Sequence, residues 1–336
     1  MVVELDNGSL IISLDFELFW GYIDSDSMGR QLTRMKHTRT AASDLIDFFE
    51  VNDVKVTWAT VGFLMLDGAD ALMEVMRGDD LPAYKHPRFD NYQTFREALT
   101  HEDYTGDLFF APELVGKLSD SKHQDIGTHT ASHYYCLEKG QTQAELDKDV
   151  SIAVDIAAQH DICIKSIVFP RNQYDSGALS ILRNHGIDIY RGNPDHFIYK
   201  TRREDNLLIR ALHLLDNYVN IAGSITHPPP LPEAGLYNMK ASRFLRPMSR
   251  RNHRFRKLQL RRIKNEMTHA AKNNLYYHLW WHPHNFSGCT AENFQFLEEI
   301  IDHFKYLKQT YHFSSESMES YVEKVKAYEQ NHHDMR

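Results

Sequence analysis

Leu10-Ile11-Ile12-Ser13-Leu14-Asp15-Phe16-Glu17 is the stretch on which the reading of this chain turns. A short apolar run predicts a strand over Leu10–Leu14, and two carboxylates stand just past it. Similar runs recur at Val54–Thr60, His123–Gly127, Ser166–Phe169, Ile187–Arg191, Leu275–Trp281 and Tyr311–Phe313. Helical patterns fall between them. They cover Thr40–Glu50, Thr142–Gln159 behind a Thr142-x-x-Glu145 capping box, Gly177–His185 behind Ser176, Glu292–Gln309 and Ser317–Tyr328. Strand alternating with helix predicts a mostly parallel α/β sheet with helices outside. About seven such strands predict a distorted, partly open (β/α)7-type barrel rather than an open sheet.

Two stretches interrupt the rhythm and read as insertions, at about 78–112 and 227–264. The first is rich in aromatics, Pro, Asp and His without a period; the second opens on Pro228-Pro229-Pro230. The remainder of residues 1–326 reads as one catalytic barrel, with 327–336 as a polar tail.

The bulk numbers narrow the function. The 336 residues are 42% hydrophobic, enough for a sizeable core. A net charge of −8 argues against a general nucleic-acid binder. Cys136, Cys163 and Cys289 are scattered and odd in number, which argues against a disulfide framework and a thiolate metal site. No stretch has the pattern of a signal peptide or the length of a membrane span, so the expected location is cytoplasmic.

Chemistry concentrates at strand ends, where parallel α/β architectures gather reactive groups. Asp15 and Glu17 follow the first strand, and His129 and His133 the third. Arg171 and Tyr174 follow the fourth, and His282 and His284 the sixth. Two imidazoles four residues apart would share one face of a helical turn and grip one cation. One carboxylate would make a third ligand, with a position left open for water, and the other would accept that water's proton.

The ordered set resembles the polysaccharide deacetylases, carbohydrate esterase family 4. The resemblance runs from Ser13 to Asn285. Ser13-Leu14-Asp15-Phe16-Glu17 is similar to the family's first motif, with one residue between the acids where usual members have none. His129-Thr130-Ala131-Ser132-His133 matches the second motif fully. Arg171-Asn172-Gln173-Tyr174 meets the third with Gln173 in place of proline, and Trp280-Trp281-His282-Pro283 meets the fifth. Asp195 only loosely suggests the fourth.

The resemblance implies a divalent cation, zinc first, on Glu17, His129 and His133. It implies Asp15 as base, held by Arg171, and His282 as the acid for the departing amine, with His284 competing for that role. It places the backbone N–H of Tyr174 at the oxyanion. The implied reaction is removal of an N-acetyl group from a sugar or glycan precursor. Trp20, Tyr22, Tyr84, Phe89 and Tyr92 are candidates for stacking on sugar rings. The competing readings are an amidohydrolase of ureide or imide type and a non-catalytic relative that binds glycan or an anion.

Arg243–Lys264 holds ten Lys or Arg and no Asp or Glu, interleaved with apolar residues. It reads either as a solvated amphipathic helix or as a patch for an anionic partner. The candidate partners are a nucleotide sugar, a lipid-linked glycan or a membrane face, with Arg250 and Arg251 among the contacting residues. The oligomeric state is open.

Overall fold

The computed structural model describes residues 3, 5–22, 28–77, 81, 84–101, 104–199, 207–249 and 253–333. Its strands are β1 (Ser9–Phe16), β2 (Val56–Thr60), β3 (Gln124–Thr128), β4 (Ser166–Ile167), β5 (Ile189–Tyr190), β6 (Tyr237–Asn238), β7 (Arg243–Phe244), β8 (Tyr276–Trp281) and β9 (Ser314–Glu316). Its helices are α1 (Met28–Val51), α2 (Ala69–Val75), α3 (Asn91–Ala98), α4 (Pro112–Ser119), α5 (Gln143–Gln159), α6 (Ser176–Leu182), α7 (Leu207–Asp216), α8 (Arg256–Lys272), α9 (Thr290–Tyr311) and α10 (Met318–His333).

β1 is buried along its whole length because it is paired on both sides. β8 lies parallel to it along Ser9–Leu14 on one side. On the other side β9 takes Ser9–Ile11 and β2 takes Ser13–Phe16. From β2 the sheet continues in parallel through β3, β4, β5 and β6; from β8 it continues to β7.

Those two edges are a single stretch of chain, so the sheet has curled round on itself. The N–H groups of Tyr237, Met239 and Ala241 donate to Asp188, Tyr190 and Gly192 on the β5 side. Those of Ser242 and Leu245 donate to His278 and Trp280 on the β8 side. β6 and β7 together therefore form one stave of a seven-stave parallel barrel, split where the chain changes partner.

This is the expected barrel, with three differences of placement. The stretch 227–264 supplies the split stave, so part of what reads as an irregular excursion is barrel wall. Its Pro-rich opening hides two strands of two residues each, too short to carry a period. The last strand is Ser314–Glu316, because Tyr311 still belongs to α9 and His312 ends it in a left-handed conformation. Residues 327–333 continue α10 rather than forming a tail.

Strand alternation sorts the side chains of β1. Leu10, Ile12, Leu14 and Phe16 join the apolar layer under the helices. Ile11 joins a second cluster with Ala59, Val168, Ile189 and Met239, closed by Met318, Tyr321, Val322 and Val325 of α10. One end of the barrel is thus plugged by apolar side chains. Ser13 and Asp15, next along the same face, enter polar contacts instead. The capping box of α5 forms as the sequence predicts: Thr142 accepts from the Glu145 N–H, and Glu145 accepts from the Thr142 N–H. α6 is capped by Asp175 rather than Ser176.

Candidate active site

At the carboxyl ends of the strands Glu17, His129 and His133 converge. Each offers one ligand atom, and the three atoms lie within 4.8 Å of one another. Glu17 Oε2 stands 3.5 Å from His129 Nε2 and 3.1 Å from His133 Nε2. Ligands about 2.0–2.1 Å from a tetrahedral zinc would be about 3.3 Å apart, so the observed separations fit such an ion. His129 must donate its Nδ1–H to the Val168 carbonyl, 2.7 Å away, which leaves an Nε2 lone pair facing Glu17. His133 Nδ1 lies 3.2 Å from the Tyr135 hydroxyl, a matching second partner.

A helical turn does not bring the two histidines together. Residues 129–135 form an irregular loop, with Thr130 at φ 65° and His133 at φ 62°. Its shape comes from groups that the motif itself does not name. Asp149 on α5, wholly buried, accepts from the Ala131 N–H at 2.8 Å, from the Ser132 hydroxyl and from the Tyr92 hydroxyl at 2.9 Å. Burial pushes the Asp149 carboxyl above its usual pKa, although these donors favour its ionised form. Thr130 Oγ1 accepts from the Tyr134 N–H, and Asn91 donates to the Ser132 carbonyl. Backbone bonds from Gly62 and Phe63, just past β2, hold the other side of the loop.

Glu17 has its own fitted space. A Cβ at Gly21 would lie 2.0 Å from Glu17 Oε1, so only glycine leaves room for the carboxylate as placed. Burial raises the pKa of Glu17, but the neighbouring His282, His129 and His133 together take it well below the usual carboxylate value.

Asp15 is held by Arg191, not by Arg171. The Arg191 guanidinium donates to both Asp15 oxygens, at 2.6 and 2.8 Å. It also donates to Ser13 Oγ at 3.0 Å and to Asn172 Oδ1, and it lies over the Trp280 ring. Burial pushes the Asp15 carboxyl up, but Arg191, then His129 and His282, bring it below its ordinary value. Arg171 sits at φ 57° in the turn after β4, pairs with Glu138 at 3.0 Å and lies over Phe89 and Tyr135. Its neighbour Asn172 faces the site instead. Arg191 ends the run Ile187–Arg191; a charge terminating an apolar strand is the signal that would have found it.

His282 and His284 stack ring on ring, with centroids 4.6 Å apart. His282 Nε2 is 3.7 Å from both Asp15 Oδ2 and Glu17 Oε1, and its side chain keeps 21% exposure. The rings of Phe244 and Trp280 pack edge-on against it. His284 is buried, with Nδ1 3.7 Å from Glu17 Oε1; burial, then the charge of His282, holds its pKa well below the ordinary histidine value.

Other expected residues lie elsewhere. Trp20 is fully buried among Phe63, Phe95 and Phe109 and donates its indole N–H to the Phe109 carbonyl, so it packs the core and cannot stack on a sugar. Phe89 and Tyr92 are buried too, and the Tyr84 hydroxyl accepts from the Tyr135 N–H. Tyr22 alone among these aromatics borders the site, edge-on to His284 at 4.8 Å. The Tyr174 ring is packed between Phe169 and Tyr190. Asp195, the loose match to the fourth motif, is an exposed partner of Lys240. Arg250 and Arg251 lie outside the described residues.

Neither a family model nor a curated protein matches the chain by sequence. Solved structures do match by shape. A Mycobacterium smegmatis protein described as a candidate polysaccharide deacetylase superposes with a TM-score of 0.59 at 10% identity, over 98% of this chain and 94% of that one. A GH57-type branching enzyme from Pyrococcus horikoshii gives 0.51 at 10% identity, over 95% and 70%. The α-amylase AmyC from Thermotoga maritima gives 0.50 at 12% identity, over 88% and 71%. At these identities the likeness is one of fold: along nearly its whole length the chain shares the barrel of a polysaccharide deacetylase-type structure.

Proposed function

We propose that this chain is a metal-dependent hydrolase that removes the acetyl group from an N-acetylated sugar or glycan precursor. The convergence of Glu17, His129 and His133 carries the reading. These three residues would hold a divalent cation, and an imidazole–imidazole–carboxylate set with an open position suits zinc. When bound, such an ion polarises an acyl oxygen and makes water a nucleophile near neutral pH.

The protein's own groups supply the rest. Asp15, fixed by Arg191 and ionised at neutral pH, is placed to accept a proton from an attacking water. His282 is the better placed of the two histidines to deliver a proton to the departing nitrogen, because its Nε2 faces Asp15 and its side chain reaches solvent. Amide hydrolysis needs that donor, since the unprotonated leaving group is a poor one. The backbone N–H of Tyr174 remains the proposed second contact to the oxyanion.

Metal analysis with a screen for acetate release tests the proposal. Free, nucleotide-linked and lipid-linked N-acetyl sugars should be compared. Acetate release that stops on chelation and returns with zinc is expected. Bound metal with no acetate from any sugar, but with turnover of a ureide or cyclic imide, would move the reading to the other amidohydrolase class.

A further inference from the structure

The end of α7 and the start of α8 form a second surface that the proposed chemistry does not use. Between Leu207 and Lys264 the sequence carries twelve Lys or Arg and only two Asp or Glu, in a chain of net charge −8. Part of that charge is spent inside. Arg243 and Arg262 are buried against Asp216 and Glu266, and Arg256 pairs with Glu299. The remainder reaches the surface: Arg254, Lys257 and Arg261 are exposed.

Large apolar side chains are exposed beside them. Leu214 (42%), Leu215 (50%), Val219 (56%), Ile221 (41%) and Leu258 (45%) are accessible. They account for five of the nine large hydrophobics exposed among the described residues. The two segments touch, because the rings of Tyr218 and Phe255 are 5.2 Å apart and Arg262 reaches Asp216 and the Gly223 carbonyl. Lys257, Leu258 and Arg261 are spaced to share one face of α8. The buried ion pairs pin both segments to the wall, so the patch is a built surface. Leu245 bonds the end of β8 just before the stretch leading to α8, and Phe244 packs on His282, so this surface borders the rim that carries the site.

We propose that residues 214–221 and 254–261 dock the protein on an anionic lipid bilayer. Aliphatic side chains flanked by cations match a membrane interface: the aliphatics enter the acyl boundary while the cations meet lipid phosphates. A soluble anion would engage the cations but leave the aliphatics in water. The acidic remainder of the molecule is repelled by the same surface, which orients the patch toward it. No described helix is long and apolar enough to cross a membrane, so the association is peripheral. The proposal is independent of the reaction at the site.

Co-sedimentation of the full chain with vesicles tests it. Vesicles of phosphatidylcholine with phosphatidylglycerol should pull the protein down at low salt, and pure phosphatidylcholine should not. Lys257→Ala and Arg261→Ala should each weaken binding about fivefold. Leu215→Asp with Val219→Asp should weaken it at least as much while leaving thermal melting unchanged, because both side chains are exposed. No binding to anionic vesicles would overturn the proposal. Binding that ignores the aspartate substitutions would reduce the patch to a non-specific cationic surface. A concentration-dependent dimer abolished by Val219→Asp, without vesicle binding, would assign the face to a second copy of this chain.

Discussion

Two strand ends of this barrel carry a pair of histidines, and the protein treats them differently. After β3, His129 and His133 turn their Nε2 atoms toward one Glu17 oxygen. After β8, His282 and His284 stack on each other, one reaching solvent and the other buried. Residue type and neighbourhood are alike; the supports are not. The first pair is shaped by the buried Asp149, by two left-handed residues and by a carbonyl that fixes the His129 ring proton. The second pair rests among Phe244, Trp280 and Tyr22. The outer contacts, rather than the spacing, turn one pair toward a shared carboxylate and leave the other stacked, and on that difference rest the proposed roles of ligand and proton donor.

The largest expected effect separates the pairs outright. His129→Ala or His133→Ala should abolish stoichiometric metal and turnover together, a greater loss than the about 10–100-fold that an outer-shell change costs. His284→Ala should keep the metal, as elemental analysis of both proteins would show. Next come the groups proposed to transfer protons. Asp15→Asn and His282→Gln should retain metal and lower kcat by about 10²–10⁴-fold, with KM little changed. His284→Gln should fall well short of that; equal losses from the two histidines would erase the distinction between them.

Much of this was legible in the sequence, and the misses have physical causes. The barrel followed from apolar runs alternating with helical periods, and the capping box of α5 could be read directly. The split stave escaped notice because β6 and β7 are too short to carry a period. Glu17, His129 and His133 could be found because motif spacing survives where shape is not local. Arg191 could not be placed through the motif, because the guanidinium expected from Arg171 is swung toward Glu138 by its left-handed backbone. Trp20 looked like a sugar platform only while its burial was unknown.

Smaller effects probe the supports themselves. Gly21→Ala should displace the Glu17 carboxylate and weaken metal binding about 10–100-fold while leaving the fold intact. Asp149→Asn should weaken metal binding to a similar degree and cost about 1–3 kcal/mol in urea unfolding, because it disturbs a buried acceptor. Neither change should affect the His282–His284 stack.

The smallest effect is a pH dependence. The pKa of Asp15 is lowered in the folded state, so its stabilising contribution is complete above its unfolded value near 3.8 and is lost as pH falls through the folded one. The stability advantage of the wild type over Asp15→Asn should therefore be constant from pH 7 to about 5 and shrink below about pH 4. An advantage already lost near pH 6 would mean that Arg191 does not hold the carboxylate as described.

The central claim is tested most directly by anomalous diffraction from zinc-loaded crystals. One ion bonded to a Glu17 oxygen and to Nε2 of His129 and His133 is the predicted result. No ion at that position, or an ion held by His282 and His284, would contradict it.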